Sequence, residues 1–425
     1  MVADDVPSAI PPLITGAASS AFSRRRFLQA AVALGAAGVG SSLTSTLASA
    51  AQPAKGPKIR QLETIVVCMQ ENRSLDHYFG TAPWIGQYGI PPGYSQPDNT
   101  GGSVQPQHFQ TPSTPDIAHS WSAMHRQWNG GRMDGFYRSG GTNAMGYYTA
   151  DDLPFYYELF DRSTLCVNFF SSVMGPTYPN RFYHVAGTSG GVTTNRIYGY
   201  GVLDYPCILD LLDAGGVTWA VYDLGQDIVE AGLSDNVFLF FKNFANDPRA
   251  KRTLEDYLGD AQAGTLPQVS FIIPSYTLGQ DEHPPSPITY GMELQQALIT
   301  TLMDSPQWDR SAYILTYDES GGYFDHVAPP QLDAFGLGFR VPTWVVSPFA
   351  KPRHLEPGMS EFASILKFIE KVFGLPTLAS VNHRFDYATP GGPDNEAAVG
   401  LLAGPAAPPR DGLAAVGNLM KCFAF

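Results

Sequence analysis

The chain of 425 residues is 44% apolar and 15% charged, and its formal net charge is −13. This composition is typical of a globular protein with a large core and excludes a mostly disordered chain. The negative charge argues against nucleic acid as the main partner, because a phosphate backbone selects basic surfaces, although a bound metal ion can still attract an anionic substrate.

The first fifty residues have the pattern of an export signal. The basic stretch at 23–28 (SRRRFL) precedes an Ala/Gly-rich apolar run, and residues 48–50 (ASA) offer a small-residue cleavage site. This order resembles a twin-arginine signal peptide. A basic patch before a membrane anchor is the alternative, but the apolar run is shorter than the roughly 20 residues that a bilayer requires. We therefore expect residues 1–50 to be read by the twin-arginine export machinery, residues 51–425 to form a single domain, and the mature protein to be periplasmic or secreted.

Short apolar runs indicate buried strands, because they are rich in β-branched and aromatic residues. In chain order they are ETIVVCM (63–69), TLCVNFF (164–170), VTWAVY (217–222), VSFIIP (269–274), AYILTY (312–317) and TWVVS (343–347). Helical patterns lie between or after them, at 205–216, 248–264, 293–305 and 364–374. The last of these is expected to begin at Ser364 as its N-cap. Strands that alternate with helices predict an α/β fold with a doubly wound, mostly parallel sheet.

Chemically active residue types follow four of these strands, at the edge where open α/β sheets bind ligands. In chain order they are Glu71 and Asn72, the hydroxyl of Thr177, the acids and histidine of the DEHPP loop (281–285, with His283), and Asp318 with Glu319. Adjacent acids after an apolar strand are costly unless a cation pairs with them. Taken singly, these residues could be a helix cap, a turn or a solvated loop. Together, at matching strand ends, they favour one site for a divalent ion that prefers oxygen ligands.

The four cysteines, Cys68, Cys166, Cys207 and Cys422, allow three fully paired connectivities in an oxidising compartment. The sequence does not select one of them. No CxxC pair is present, which argues against a zinc–thiolate site.

Several sequence blocks resemble, in the same order, the signature blocks of the bacterial phosphoesterase family. They are QENRSLDHYFG (70–80), the HSW-containing block (116–136), GPTYPNRFYHVAGTSGG (175–191), GTLPQVSFIIP followed by DEHPP, and TYDESGGYFDHVAPP (316–330). The resemblance covers roughly residues 60–375 of this chain. The family contains phosphatidylcholine-type phospholipases C and periplasmic acid phosphatases. It implies a three-layer α/β/α sandwich of the alkaline-phosphatase-like kind.

The resemblance also implies a role for individual residues. Glu71, Asn72, Asp318 and Glu319 match the family's ligands to one divalent metal ion, whose identity (Ca, Zn, Mn or Mg) stays open. Thr177 matches the nucleophile, which also touches the metal. His119 and His283 match histidines that contact the phosphoryl group or protonate the leaving group. Asn72 and Arg73 are further expected to bind substrate, while His326 is expected to be structural.

The resemblance allows two kinds of enzyme, one that hydrolyses phosphodiesters and one that hydrolyses phosphomonoesters. A third possibility is a protein without catalytic activity. Threonine at position 177 favours phospholipase C-type cleavage of phosphodiesters, for which a phospholipid substrate would bring peripheral membrane contact. An exported acid phosphatase acting on monoesters and an inactive exported binding protein are the alternatives. The chain departs from many relatives at 178–180 (YPN) and at 360–364 (SEFAS). Substrate choice can therefore differ from theirs.

Overall fold

The structure, a computed structural model, describes residues 59–195, 199–226, 235–383 and 408–425. These residues belong to one structural unit, Ser49–Phe425. The predicted export signal at residues 1–50 lies outside the described residues, so the signal and the division of the chain at residue 50 stay predictions. Among the described residues, no helix combines the length and the apolar character needed to cross a bilayer.

A seven-stranded sheet forms the centre of the fold, with two small two-stranded sheets beside it. The strands in chain order are β1 (Thr64–Gln70), β2 (Gln96–Pro97), β3 (Ser103–Val104), β4 (Gln107–His108), β5 (Gly146–Tyr147), β6 (Ser163–Cys166), β7 (Trp219–Asp223), β8 (Val269–Ile273), β9 (Ser311–Tyr317), β10 (Trp344–Val346) and β11 (His354–Glu356). The spatial order of the central sheet is β11-β6-β10-β9-β1-β8-β7. Only β10 runs antiparallel to its neighbours in this sheet.

Each predicted apolar run contains a strand of the central sheet, and the fully buried β1, β8 and β9 lie side by side in it. The run at 164–170 is strand only as far as Cys166, and Phe169 and Phe170 then make isolated bridges. The edge strand β11 was not predicted. Its sequence, HLE, carries two polar residues and only one apolar one, so no apolar run marks it.

Helices fill the connections between the strands. In chain order they are α1 (Leu75–Phe79), α2 (Trp121–Trp128), α3 (Phe136–Ala144), α4 (Pro154–Leu159), α5 (Thr177–Ala186), α6 (Ile208–Ala214), α7 (Leu254–Ala263), α8 (Ile288–Met303), α9 (Phe362–Phe373) and α10 (Leu378–Val381). The four predicted helices correspond to α6, α7, α8 and α9.

The predicted N-cap of the last long helix was wrong by three residues. Helix α9 begins at Phe362, and its N-cap is Glu361 rather than Ser364. The hydroxyl of Ser364 instead accepts a hydrogen bond from the Glu361 backbone amide at 3.0 Å. Ser364 therefore still serves the helix start, but from the third position inside the helix, as in a capping box.

Helices cover both faces of the sheet. On one face, Gln295 of α8 donates from Nε2 to the Cys68 sulfur at 3.2 Å. On the other, the His184 ring of α5 lies 5.9 Å from the Phe271 ring, and Phe271 pairs with Val67 of β1. Because neighbouring strand residues point to opposite faces, α8 and α5 lie on opposite sides. This arrangement confirms the predicted three-layer α/β/α sandwich around a mostly parallel sheet.

Candidate active site

The carboxyl ends of β1 and β9 are joined by backbone hydrogen bonds. The Asp318 amide donates to Gln70 O at 3.0 Å, and the Arg73 amide donates to Glu319 O at 3.0 Å. The Asn72 amide donates to Asp318 Oδ1 at 3.1 Å. Two segments far apart in the chain therefore hold their side chains at one place, as adjacent parallel strands predict.

The backbone at Asn72 is unusual and the two loops approach closely there. Asn72 has a φ of 63°, in the left-handed region that few non-glycine residues adopt. A Cβ atom on Gly321 would lie 2.5 Å from Asn72 O, so glycine is needed for this approach. Strained backbone of this kind is enriched at functional sites. The predicted alternative, a helix cap at 71–72, does not occur, because α1 begins at Leu75 with Ser74 as its N-cap.

The loop after β8 adds a further acid. The Glu71 amide donates to the Asp281 carbonyl at 2.9 Å, and Asp281 Oδ1 accepts from the His283 amide at 2.9 Å. We call the set Glu71, Asn72, Asp281, Asp318 and Glu319 the strand-end cluster. Each of its members is buried.

Thr177 is the first residue of α5, and the same helix reaches the cluster through Arg181. Arg181 Nη2 donates to Glu71 Oε1 at 2.7 Å, and its Nε lies 3.8 Å from Asp318 Oδ2. Residues four apart share one face of a helix. Thr177 therefore lies on the helix face that contacts the cluster, one turn nearer the positive N-terminal end of α5.

Burial strongly disfavours ionisation of the cluster. It raises the pKa of Asp318 to about 6 and, reinforced by neighbouring carboxylates, raises the pKa values of Glu71, Asp281 and Glu319 well above their usual range. Arg181 opposes this effect for Glu71 and Asp318. A divalent cation among these groups would favour their ionised forms.

The donor atoms of the cluster fit a metal ion. Asn72 Oδ1, Asp318 Oδ2, Glu319 Oε1 and Asp281 Oδ2 are buried and accept no hydrogen bond from any described residue. An unpaired buried oxygen costs about 1–3 kcal/mol, and more when it is charged. Four such oxygens at one edge of the sheet are the donor set that hard divalent cations use. The predicted metal ligands Glu71, Asn72, Asp318 and Glu319 are therefore brought together.

The two predicted histidines lie beside the acids. His119 Nδ1 donates to Ile117 O at 2.6 Å, which turns Nε2 towards Glu319 Oε1, 3.9 Å away. His283 Nδ1 donates to Pro284 O, which turns Nε2 towards Glu71 Oε2, 4.0 Å away. The two rings are 6.0 Å apart. Burial lowers the pKa of His283 to about 4.

Arg73 points away from the strand-end cluster. It is fully buried, and its guanidinium contacts His77 Nε2 at 3.1 Å, donates to the Glu282 carbonyl and lies over the Tyr323 ring at 5.1 Å. These contacts join the loops after β1 and β8. Its predicted role in substrate binding stays a prediction.

Glu282 is also turned away from the cluster, although it stands next to Asp281. Its carboxylate accepts hydrogen bonds from the hydroxyls of Tyr78, Tyr156 and Tyr317 and from Gln70 Nε2 at 3.1 Å. Burial raises the pKa of Glu282. The side chain of Asp281 therefore points into the strand-end cluster and that of Glu282 points away from it. These directions accompany a left-handed backbone at Glu282, whose φ is 71°.

A second buried group of acids lies around Arg340, and we call Asp76, Asp325, His326 and Arg340 the Arg340 cluster. Arg340 donates from Nε to Asp325 at 2.9 Å and from Nη2 to Asp76 Oδ1 at 3.0 Å. His326 Nδ1 contacts Asp76 Oδ2 at 2.6 Å. Each carboxylate here has a cationic or hydrogen-bonding partner, which agrees with the structural role predicted for His326.

Three residues of the site were not among the predicted ligands. Arg181 follows Thr177 by four residues, but no helix was predicted there, so its position carried no signal. Asp281 does carry one, since it opens the DEHPP loop at a predicted strand end. Asp235, whose carboxylate lies near those of Glu71 and Asp281, is a lone acid in an irregular segment and gives no such signal.

Comparisons with known proteins agree with the geometry. Residues 62–376 match the model of the phosphoesterase family. The chain is 33% identical to the non-hemolytic phospholipase C of Burkholderia pseudomallei over 74% of this chain and 55% of that protein. It is 31% identical to the hemolytic phospholipase C of Pseudomonas aeruginosa over 83% of this chain and 59% of that protein.

One further relative is matched over most of its own length, and one solved structure is matched more weakly. The chain is 30% identical to phospholipase C A of Mycobacterium tuberculosis over 87% of this chain and 86% of that protein. A solved protein of the alkaline phosphatase superfamily from Vibrio parahaemolyticus is 14% identical, with a TM-score of 0.38 over 76% of this chain and 68% of that one. At this TM-score the structural similarity supports no functional argument. The chain spans less than two thirds of the Burkholderia and Pseudomonas proteins.

Proposed function

Because this chain belongs to the phosphoesterase family, we propose that it is a metal-dependent hydrolase of phosphate esters that cleaves phospholipid phosphodiesters in the manner of a phospholipase C. The observation that carries the proposal is the set of unpaired buried oxygens of the strand-end cluster, which lies against the helix that begins with Thr177. Relatives named phospholipase C support the choice of ester.

Glu71, Asn72, Asp318 and Glu319 would hold a divalent ion, with the Thr177 hydroxyl beside them. When bound, the ion would supply Lewis-acid activation of that hydroxyl and neutralise phosphoryl charge. The amide of Asn72 has a second use. Its Nδ2 donates no hydrogen bond to a described residue, so it can donate to a phosphoryl oxygen of the substrate.

Thr177 acts as the nucleophile. Its Oγ1 forms a bond to phosphorus as the bond from phosphorus to the glycerol oxygen breaks, and diacylglycerol leaves once that oxygen takes up a proton. Water then attacks the phospho-Thr177 intermediate, which releases the phosphorylated head group and restores the hydroxyl. The N-terminal end of α5 favours the negative charge that develops at Thr177 during both steps.

His119 and His283 are suited to different steps of the reaction. His283 is neutral at pH 7, because burial lowers its pKa to about 4. Its one proton is on Nδ1 and is donated to Pro284 O, so its Nε2 is an acceptor that suits taking a proton from the attacking water. His119 suits proton delivery to the leaving oxygen, because the Asp116 carboxylate lies 3.5 Å from its Nδ1 and can orient the ring. Arg73 joins the loops after β1 and β8, and its contact with substrate stays a prediction.

The test uses two chromogenic esters, para-nitrophenyl phosphate and para-nitrophenyl phosphocholine, with manganese-loaded protein. We expect release of para-nitrophenol from the phosphocholine diester and a loss of about 10³-fold or more in Thr177→Ala. Thr177→Ser is the matched control, because it keeps the hydroxyl and should keep most of the rate. Cleavage of the monoester alone would identify an acid phosphatase, and binding without cleavage would identify an inactive binder.

We also propose that the protein works outside the cytoplasm. The basic stretch at 23–28 and the apolar run after it support export by the twin-arginine machinery. A phospholipid substrate then implies transient contact with a membrane surface. Replacing Arg24 and Arg25 together by Lys should retain the unprocessed protein inside the cell, and normal processing of this variant would contradict the export route.

A further inference from the structure

We propose that a second divalent cation binds beside the first, held by Glu71, Asp235 and Asp281. This inference rests on the proposed function, because it adds an ion to the same site. One carboxylate oxygen from each of these residues lies within 4.8 Å of those of the other two. Such a spacing allows one ion to contact all three.

The oxygen of Asp281 gives independent support. Asp281 is fully buried, and its Oδ1 is used by the His283 amide. Its Oδ2 is buried and accepts no hydrogen bond from a described residue, and the Asp281 carboxylate belongs to the acidic group with Asp235 and Glu71. A buried anionic oxygen without a donor is costly, and a cation at this point removes the cost.

Charge balance points to the same conclusion. The carboxylates of Glu71, Asp235, Asp281, Asp318 and Glu319 carry five negative charges when ionised. Arg181 supplies one positive charge to this group, and one divalent ion supplies two. Two negative charges then remain in a site that must accept an anionic phosphate ester. A second divalent ion makes the site neutral, and a bound phosphate is then no longer repelled.

Arg181 does not replace this ion. Its shortest contacts are with Glu71 Oε1 and Asp318 Oδ2, its hydrogen bond to Asp235 goes to the backbone carbonyl at 3.5 Å, and its single charge is shared among these acids, including the Asp235 carboxylate. The Asp281 oxygen remains without a donor. Glu71 has two carboxylate oxygens and can contribute to both ions, as bridging carboxylates do in two-metal sites whose ions lie about 3.5–4 Å apart.

The experiment counts bound metal in the full chain. Protein stripped by a chelator is dialysed against Mn²⁺, and elemental analysis gives the ions bound per chain. Wild type should bind two, whereas Asp281→Asn and Asp235→Asn should each bind one. Asn at 281 keeps the oxygen that accepts from the His283 amide, so the fold should be retained. Asp151→Asn, at an exposed position away from the cluster, is the control and should bind two.

Electron paramagnetic resonance provides a second measurement that does not depend on activity. Two Mn²⁺ ions that share Glu71 should give a spin-coupled spectrum, and Asp281→Asn should convert it to that of an isolated ion. Saturation of wild type at one ion, or two ions in both variants, would overturn the second site. Ester cleavage is measured on the same samples. One ion with full cleavage rejects only this inference, and two ions without cleavage reject only the proposed function.

A separate observation carries a second inference, on the cysteines. The sulfurs of Cys166 and Cys422 lie 3.5 Å apart, and both residues are fully buried. Cys166 ends β6, while Cys422 lies in the last segment of the chain, whose carbonyl accepts hydrogen bonds from Thr164 Oγ1 and the Lys351 amide. We infer that Cys166 and Cys422 are the pair that forms a disulfide under oxidising conditions, while Cys68 and Cys207 stay reduced.

The chemistry requires a disulfide oxidant such as oxidised glutathione. The two thiols lose two protons and two electrons and form one sulfur–sulfur bond, and the oxidant is reduced to two glutathione thiols. The hydrogen bond with Cys422, together with burial, raises the pKa of Cys166 well above its usual range. Because the thiolate is the attacking species, the reaction should be slow while the carboxyl-terminal segment is docked and faster when mild denaturant loosens it.

The test treats the full chain with oxidised glutathione in mild urea and then counts thiols after complete unfolding. Four thiols should fall to two, peptide mapping should join Cys166 to Cys422, and the melting temperature should rise by several degrees, because the bond restricts the unfolded chain. Cys422→Ser should form no bond, and Cys207→Ser should still form it. Four remaining thiols, or a bond that joins other cysteines, would overturn the inference.

Discussion

The strand-end cluster and the Arg340 cluster both contain buried carboxylates, yet their charges are paired in different ways. In the Arg340 cluster, the buried carboxylates of Asp76 and Asp325 receive hydrogen bonds from one guanidinium at 2.9–3.0 Å. In the strand-end cluster, Asp318 Oδ2 and Glu319 Oε1 receive none from a described residue. The first cluster is paired within the protein, while the second keeps buried oxygens without a donor beside its one cation, Arg181.

A group of buried acids therefore does not identify a metal site by composition alone. Asp76, Asp325 and His326 lie close enough together to share an ion, and the same holds for Glu71 and Asp281 with Asp235. What separates them is whether the protein supplies its own cation and donors. A cluster whose carboxylates are paired within the protein should contribute to the stability of the fold and not to catalysis. A cluster with carboxylate oxygens left unpaired should contribute to catalysis and not to stability.

The largest expected effect comes from removing one charge of the strand-end cluster. Asp318→Asn should lower ester hydrolysis by about 10³-fold or more, because it removes a predicted metal ligand. Its metal-free form should unfold at about the same urea concentration as wild type, because the variant loses an ion pair with Arg181 but also removes one of several buried acids that repel each other. Hydrolysis rates, bound metal and urea unfolding check both parts, and full activity in this variant would remove Asp318 from the site.

The next effect is on stability and belongs to the Arg340 cluster. Arg340→Met should destabilise the fold by about 3–5 kcal/mol, because it leaves Asp76 and Asp325 buried without their cation. Urea unfolding measures this loss. Arg353→Met is the control, because its ion pair with Asp161 is exposed and should contribute less than about 1 kcal/mol. A similar small loss in both variants would contradict the comparison.

Metal ions should distinguish the clusters in one titration. Mn²⁺ at a hundred times its dissociation constant should stabilise wild type by about 2.7 kcal/mol, because the ion binds the folded state and favours the ionised carboxylates. A chelator should reverse the gain. Asp318→Asn should lose most of the gain, whereas Arg340→Met should keep it. Thermal unfolding with and without Mn²⁺ is the measurement, and equal stabilisation of all three proteins would place the ion elsewhere.

A smaller effect comes from His184, a buried histidine outside both clusters. Burial, together with the nearby Arg181, lowers its pKa to about 3, whereas the unfolded chain titrates near 6.5. The folded state therefore binds fewer protons, and stability falls as pH drops below about 6.5. Between pH 7.5 and 5.5 the loss from this residue should be about 1.4 kcal/mol. Metal-free His184→Gln should show a pH dependence smaller by that amount, and an unchanged dependence would contradict the shift.

The sequence was sufficient for the parts of the fold that repeat a simple pattern. The strands β1, β8 and β9 are buried along their whole length, so residues on both faces of each strand are mostly apolar and form a continuous apolar run in the sequence. No apolar run predicts the strand β11, because its pairing with β6 at the sheet edge depends on neighbours far along the chain.

The same limit applies to the site. Glu71, Asn72, Asp318 and Glu319 could be predicted because each follows an apolar run directly. The role of Arg181 could not, because its contact with Glu71 depends on how α5 is packed against the sheet. The side chains of Asp281 and Glu282 point in opposite directions because the backbone at Glu282 is left-handed. No residue type in that loop predicts this backbone conformation.

The central claim is that a divalent cation binds at the ends of β1 and β9 and not at Arg340. The most direct measurement is the anomalous diffraction of crystals grown with Mn²⁺. We expect a peak within about 2.0–2.6 Å of oxygens from Asn72, Asp318 and Glu319, and no peak between Asp76 and Asp325. A peak only at the Arg340 cluster, or none beside Asp318 at saturating Mn²⁺, would contradict the account.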